Sequence, residues 1–319
     1  MWRYRLGVRT DGSQPSDRGS NPRSATSFLS CAAPPLNRLL ITIVASAVLS
    51  AAGLSSACGA PSAERATGDV ARAVEAALRG GTDRFDSSAW GRLLEKGTAG
   101  GLVDYRFMSD HRDDLAAYTK SVSEASLDRL APAHLEALLI NAYNAITVAS
   151  ILDHPDVASI RDIPGVWSER RHRVGGFDLT LDEIEHRILR PFFKDPRLHF
   201  ALNCASRSCA PLPGWAYDGD RLEAQLEERA RAFLADATQV RTDGSTLLLS
   251  RYFDWYGSDF TAAGWKGTAP SIAAYVARRS APEVTRFIEQ QKGKPSIGFL
   301  DYDWALNAVR PDAGRATRP

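Results

Sequence analysis

Apolar positions in this chain keep a regular spacing only after about residue 60, and from residue 82 onward they outline a folded domain. "APAHLEALLINAYNAITVASILDHP", 131–155, reads as a helix opened by Pro132 in its first turn and stopped by Pro155. Leu135, Leu139, Ala142 and Ile146 share one side of it, while Ile140, Val148 and Ile151 occupy others. A helix apolar on every face is a buried one, so Asn141 and Asn144 are expected inside, where each needs hydrogen-bond partners. "LTLDEIEHRILRPFF" follows the Gly175-Gly176 turn, with Thr180 and Glu183 at capping-box spacing and a stripe of Leu181, Ile184, Ile188 and Phe192. His186 falls off that stripe, on the side of Asp182 four residues earlier, where a carboxylate can orient an imidazole.

"RLHFALN", 197–203, alternates in the manner of a strand, placing His199, Ala201 and Asn203 on one face. A helix is expected from about Asp220, a strand in "STLLLSRYF", one or two helices in "PSIAAYVARRSAPEVTRFIEQ", and a last strand and turn in "GFLDYDWALN". These elements mix without a βαβ rhythm. The expected class is therefore α+β, a single domain over 82–310 with several helices packed on a small mixed or antiparallel sheet. Residues 58–81 read as a tether leading into a helix, "GDVARAVEAALR", and 311–319 as a tail.

Residues 1–57 form an N-terminal extension plus a signal peptide in this reading. The first 38 are rich in Arg, Ser, Pro and Gly without apolar periodicity, as expected where a start codon is assigned upstream of the true one. After Arg38 come an apolar run and then small residues, the order of a secretory signal. The run closes on Leu54-Ser55-Ser56-Ala57-Cys58, which resembles a bacterial lipoprotein signal with Cys58 lipidated, although its leucine stands one place further upstream than usual. Ordinary cleavage after Ala57 is the alternative. Both routes imply export to the periplasm or outer surface, and the first adds a membrane tether.

Composition then narrows the function classes. With 39 basic residues against 38 acidic ones and no basic block, nothing points to nucleic acid. Of four cysteines, only Cys204 and Cys209 lie in the folded body, and in an oxidising compartment such a pair is more often bridged than free. Around them gather Asn141, Asn144, Asp182, His186, His199, Asn203 and Ser206, polar groups on or beside apolar elements that must satisfy one another or bind something.

"INAYNA", "LDEIEHRILR", "DPRLHFALNCASRSCAPL", "FDWYGSDF" and "YDWALN", in that order, resemble the domain-of-unknown-function 547 (DUF547) family, over a core of about 130–235. The family pattern often carries Pro where this chain has Ala210. The resemblance implies a shared candidate site and no particular reaction.

Three chemistries stay open for the cluster. Cys204 is a candidate nucleophile of a hydrolase or acyltransferase acting on amides or esters, with His186 or His199 as base and Asn141 or Asp182 orienting the imidazole. Alternatively a Cys204–Cys209 disulfide closes a tight loop in a noncatalytic binding or scaffold module, with Asn144, Asp182, Asn203, Ser206 and Cys209 lining a site for a small molecule, peptide or cell-envelope ligand. A third reading is zinc on His186, His199, Cys204 and Cys209, although the spacing matches no standard zinc motif, and no cofactor is assigned. Trp167, Trp215, Trp255 and Trp304 are candidates for a glycan or peptide groove. His111, His134, His154 and His172 read as surface or capping residues.

Overall fold

Val70, Val74 and Ala77 recur at helical spacing and are all buried, which makes Ala63–Gly80 an amphipathic helix, α1, seated on the rest of the fold. The computed structural model describes residues 63–309. The stretch assigned to a tether thus carries a core helix, and the folded part starts earlier than expected because those three apolar side chains find a partner surface. The signal sequence and Cys58 lie outside the described residues.

Helices α2 (Ser88–Gly97), α3 (Tyr105–Asp110) and α4 (Arg112–Ser123) follow, with a two-residue antiparallel pair, β1 (Thr98–Ala99) and β2 (Leu102–Val103), between the first two. α3 and α4 pack against α5 (Pro132–Leu152), which Pro132 opens at its first turn as expected, and α2 packs on α3 and α4. Although α5 is long and apolar enough to cross a membrane by length and composition, 94% of its apolar window is buried inside the protein. Each fully buried Leu or Ile on it contributes about 1.5–3 kcal/mol, enough to carry two buried asparagines provided both are bonded.

Hairpin β3 (His172–Val174) and β4 (Phe177–Leu179) turns through Gly175 and Gly176, both at positive φ. A Cβ at Gly175 would sit 2.2 Å from Leu127 Cγ, so glycine is required there on both counts. The capping box then forms as read: Thr180 N donates to Glu183 Oε2 at 3.0 Å and Glu183 N to Thr180 Oγ1 at 3.1 Å. The helix it starts, Glu183–Phe193, is π-wound, with Pro191 inside it and Lys194 left-handed at its end. Long π-winding is rare and clusters near functional sites.

Residues 197–203 are not a strand. Pro196 fixes the first turn and the Asp195 side chain accepts from Arg197 N at 2.9 Å, so Pro196–Phe200 winds into a 3-10 turn. The alternating apolar pattern there comes from burial on several sides, and His199 and Asn203 do not share a face.

Beyond α6 (Leu222–Ala235) a second apolar core forms around Phe200, Phe233, Phe253 and Phe260. A three-stranded mixed sheet borders it: β5 (Val240–Asp243) pairs antiparallel with β6 (Thr246–Leu249), and β6 pairs parallel with β7 (Ser296–Phe299). Short helices α7 (Tyr252–Trp255), α8 (Ile272–Ala277) and α9 (Pro282–Gln290) complete it. The described residues form a mixed α+β fold, as the pattern implied.

Candidate functional site

Two buried asparagines hold the cysteine loop. From α5, Asn144 Oδ1 accepts from Asn203 N at 2.7 Å and Asn144 Nδ2 donates to Ala201 O at 3.0 Å. Asn203 in turn donates from Nδ2 to Ala210 O at 2.7 Å, and its Oδ1 accepts from Ala205 N at 3.0 Å and from Asn307 Nδ2 at 3.2 Å. Every polar atom of these two side chains is therefore bonded, as burial demands. Between them the chain is forced through Ala205 at φ 58°, a left-handed conformation that costs a side-chain-bearing residue about 1–2 kcal/mol. The kink turns the chain sharply beside Cys204. The C-terminal segment closes over it, with Asn307 N donating to Ala205 O at 3.1 Å and Arg207 N to Ala305 O at 2.9 Å.

Both cysteines are free thiols, and their environments differ. Cys204 is half-buried, its sulfur 3.1 Å from Tyr302 Oη and 3.2 Å from Ser206 Oγ. When Ser206 directs its hydroxyl proton to Tyr302 at 2.9 Å, the Tyr302 O–H is left to donate to the sulfur, and the Ser206 backbone bonds the sulfur as well. Burial raises the Cys204 thiol, but hydrogen bonds from Cys209, Ser206 and Tyr302 outweigh it and bring the group down to about 7. Cys209 is buried; its sulfur accepts from Cys204 N at 2.7 Å and from Tyr252 Oη at 3.1 Å. Burial first, then the hydrogen bond and charge of Cys204, push the Cys209 thiol well above its ordinary value.

The histidines belong to a neighbouring line of groups. His199 is buried, its Nε2 2.9 Å from Asp259 Oδ2 and its ring stacked on Tyr256 at 4.1 Å. Arg190 donates to both Asp259 oxygens, at 2.8 and 3.0 Å, and to His186 Nδ1 at 3.1 Å. A guanidinium only donates, so His186 Nδ1 is an acceptor and its proton sits on Nε2, 4.0 Å from Asp182 Oδ1. Burial raises the Asp182 carboxyl, against the opposing pull of His186. Burial lowers His199, and although burial also opposes the Asp259 charge, His199 and Arg190 hold that carboxyl down at about 2.

Of the residues singled out from sequence, Asn144, Asn203, Cys204, Ser206 and Cys209 meet in one place, and Asp182, His186 and His199 meet in another. The hydrogen-bonded neighbours of the Cys204 sulfur do not include an imidazole. Asn141 belongs to neither group: its Nδ2 donates to Tyr217 O at 2.8 Å and its Oδ1 accepts from Tyr217 N at 2.9 Å, pinning the segment before α6. The four donors considered for zinc are split between the two places, and among the described residues no three His, Cys, Asp or Glu side chains converge on one cation position. His134, read as a surface residue, is buried, with Gly219 packed against its ring.

Three of the four candidate tryptophans gather beside Tyr302. Trp304 lies 6.2 Å from Trp167 and 5.9 Å from Trp255, and Tyr302 is 4.5 Å from Trp304 and 4.9 Å from Trp255. Trp215 packs instead on Tyr217. Tyr302, Tyr252, Asn307 and Asp259 were missed as site residues. All four lie in or beside "FDWYGSDF" and "YDWALN", motifs that carried the resemblance without being tied to the cysteines.

Fold and site together define an α+β protein with a thiol-centred polar loop beside an aromatic cluster. Residues 127–234 match the family model described as "Protein of unknown function, DUF547". The matched stretch supplies α5, the π-helix, both cysteines and α6, and ends before Tyr252, Asp259, Tyr302 and Asn307. No curated protein and no solved structure matches the chain.

Proposed function

We propose that the protein is a cysteine-dependent enzyme in which Cys204 attacks the acyl carbon of an amide or ester bound along the Trp167–Trp304–Trp255 cluster. The observation that supports this best is the sulfur of the partly buried Cys204, hydrogen-bonded to Tyr302 and Ser206 and brought to about 7 without an imidazole. The thiolate adds to the carbonyl and the C–O or C–N bond breaks as the leaving alkoxide or amine takes the Tyr302 hydroxyl proton; Tyr302 then regains a proton from the water that attacks the thioester, and the C–S bond breaks to release the acid and the Cys204 thiolate. Burial, then the charge of Cys204, raise the Tyr302 hydroxyl well above its usual range, which keeps it protonated as a donor. His186 and His199 act at one remove in this reading, as positioning residues.

The leader pattern ending at Cys58 supports placing this activity in the cell envelope, with the protein tethered through a lipid on Cys58 and acting on a small-molecule, peptide or envelope ligand and not on nucleic acid. A noncatalytic binding module is the rival reading, and the aromatic cluster, with Trp255 exposed and Trp167, Tyr302 and Trp304 partly so, favours it as well. Incubation with p-nitrophenyl acetate separates the two. An enzyme gives a stoichiometric burst of nitrophenol and an acetyl adduct on the peptide carrying Cys204, both lost in Cys204→Ser. No adduct on Cys204 would end the acyl-transfer proposal.

A further inference from the structure

The environments of the two thiols support more than one nucleophile. Cys209 Sγ lies 2.7 Å from Cys204 N, and the two side chains are in hydrogen-bond contact. Cys204 is partly buried and Cys209 fully so, the Cys209 sulfur held by Tyr252 and by the backbone of Cys204. The intervening turn already brings them together, with Cys209 N donating to Ser206 O at 3.1 Å and Ala205 turned left-handed.

We propose that Cys204 and Cys209 form a dithiol–disulfide exchange pair, Cys204 attacking and Cys209 resolving, so that the site reacts with accessible disulfides as well as acyl groups. The inference rests on Cys204 being the nucleophile of the reading above. In the first step the Cys204 thiolate attacks one sulfur of a substrate disulfide. An S–S bond forms at Cys204, the substrate S–S bond breaks, and one substrate thiolate leaves. In the second step Cys209 gives its proton to that thiolate and attacks Cys204 Sγ, expelling the second substrate thiolate. The substrate disulfide is reduced by two electrons and the pair is oxidised to a Cys204–Cys209 disulfide. Run in reverse, the bridged form oxidises a dithiol.

Electrostatics orders the two steps. While Cys204 carries negative charge, that charge helps keep Cys209 protonated. Once Cys204 is part of a mixed disulfide the charge is gone, while the N–H of Cys204 and the O–H of Tyr252 still point at the Cys209 sulfur and stabilise its thiolate. Attack by the first thiol thus activates the second, and the resolving step is intramolecular between neighbouring groups.

The test uses the full chain in a Cys31→Ser/Cys58→Ser background, fully reduced and treated with the diaryl disulfide 5,5′-dithiobis(2-nitrobenzoate). The expected result is two equivalents of thionitrobenzoate released per chain, no retained adduct, and a Cys204–Cys209 crosslink in the mapped peptides. Cys209→Ser, checked for folding by circular dichroism, is expected to release one equivalent and keep the other on Cys204. Wild-type protein that releases one equivalent and retains the adduct, or that carries an adduct on each cysteine, would overturn the exchange pair and leave the Cys204 nucleophile standing. A Cys204 that reacts only after unfolding would remove both readings.

Discussion

Tyr302 is the group through which the Cys204 proposal can be broken most directly. Replacing it with Phe keeps the ring that packs 4.9 Å from Trp255 and 4.5 Å from Trp304, and deletes the hydroxyl 3.1 Å from the sulfur. A hydrogen bond to a charged group is worth about 1.5–3 kcal/mol. At about 1.4 kcal/mol per pH unit, its loss raises the thiol by about one to two units. Ser206, relieved of donating to Tyr302, can turn its proton to the sulfur 3.2 Å away and recover part of that, so a rise of about one unit is expected. The assay is the alkylation rate of Cys204 by iodoacetamide against pH, followed by mass spectrometry of its peptide, with Cys31 and Cys58 replaced by Ser. Absolute rate discriminates poorly. A thiol titrating at about 7 is half ionised at neutral pH against about 3% for an ordinary one, yet its weaker basicity cancels much of that roughly sixteen-fold gain. The midpoint is the readout: near 7 for wild type and near 8 for Tyr302→Phe. A wild-type midpoint at the ordinary thiol value, or superimposable profiles for the two proteins, would refute the reasoning.

Three further variants test the scaffold. Glu136 is buried with Oε1 unpartnered, and burial, opposed by Lys266 at 3.8 Å, pushes its carboxyl up to about 7. The folded state therefore holds this proton to about pH 7 while the unfolded chain releases it near 4.3, so stability falls as pH rises between those values; Glu136→Gln should be the more stable protein at pH 8, by about 4 kcal/mol at most, with the gap closing below pH 5 in urea titrations. A pH-independent difference would contradict this. Asn144→Ala strands Asn203 N and Ala201 O in the interior and should cost about 2–4 kcal/mol while moving the Cys204 alkylation midpoint. Asn141→Ala should destabilise comparably but leave that midpoint in place, because it serves Tyr217; equal effects of the two on Cys204 would show that the loop is not held as described.

What could be read from the sequence follows from the range of the forces involved. Pro132, the Thr180–Glu183 cap and the Gly175-Gly176 turn act within a few residues, and all three are where the pattern put them. The all-round apolar face of α5 likewise announced buried asparagines. The 197–203 segment misled because a 3-10 turn buried on several sides can carry the same alternation as a strand, and its side chains are sorted by Asp195 and Asp259 rather than by pleat. Cys204 meets Tyr302 across 98 positions, and Cys209 meets Tyr252 across 43. No local periodicity encodes such a meeting; the sequence signal lay in "FDWYGSDF" and "YDWALN", aromatic-rich motifs of the resemblance that carry or adjoin these tyrosines.

The histidines show how a sequence cluster can divide in space and still serve one site. His199 donates its Nε2 proton to Asp259, Arg190 donates to both oxygens of the same carboxylate, and His186 accepts from Arg190, so the whole line converges on one residue of the 252–260 segment. The same segment places Tyr256 against the His199 ring, with the Arg190 guanidinium 5.1 Å from its centroid. Three residues before Asp259 comes Tyr256, and four before that is Tyr252, whose hydroxyl donates to Cys209 Sγ and accepts from Ala210 N at 3.0 Å. The imidazoles therefore reach the thiols through Tyr252, by fixing the segment that carries it. A catalytic base would have to give up these bonds to take a proton from Cys204, and a thiol already stabilised by Tyr302 and Ser206 has no need of that transfer.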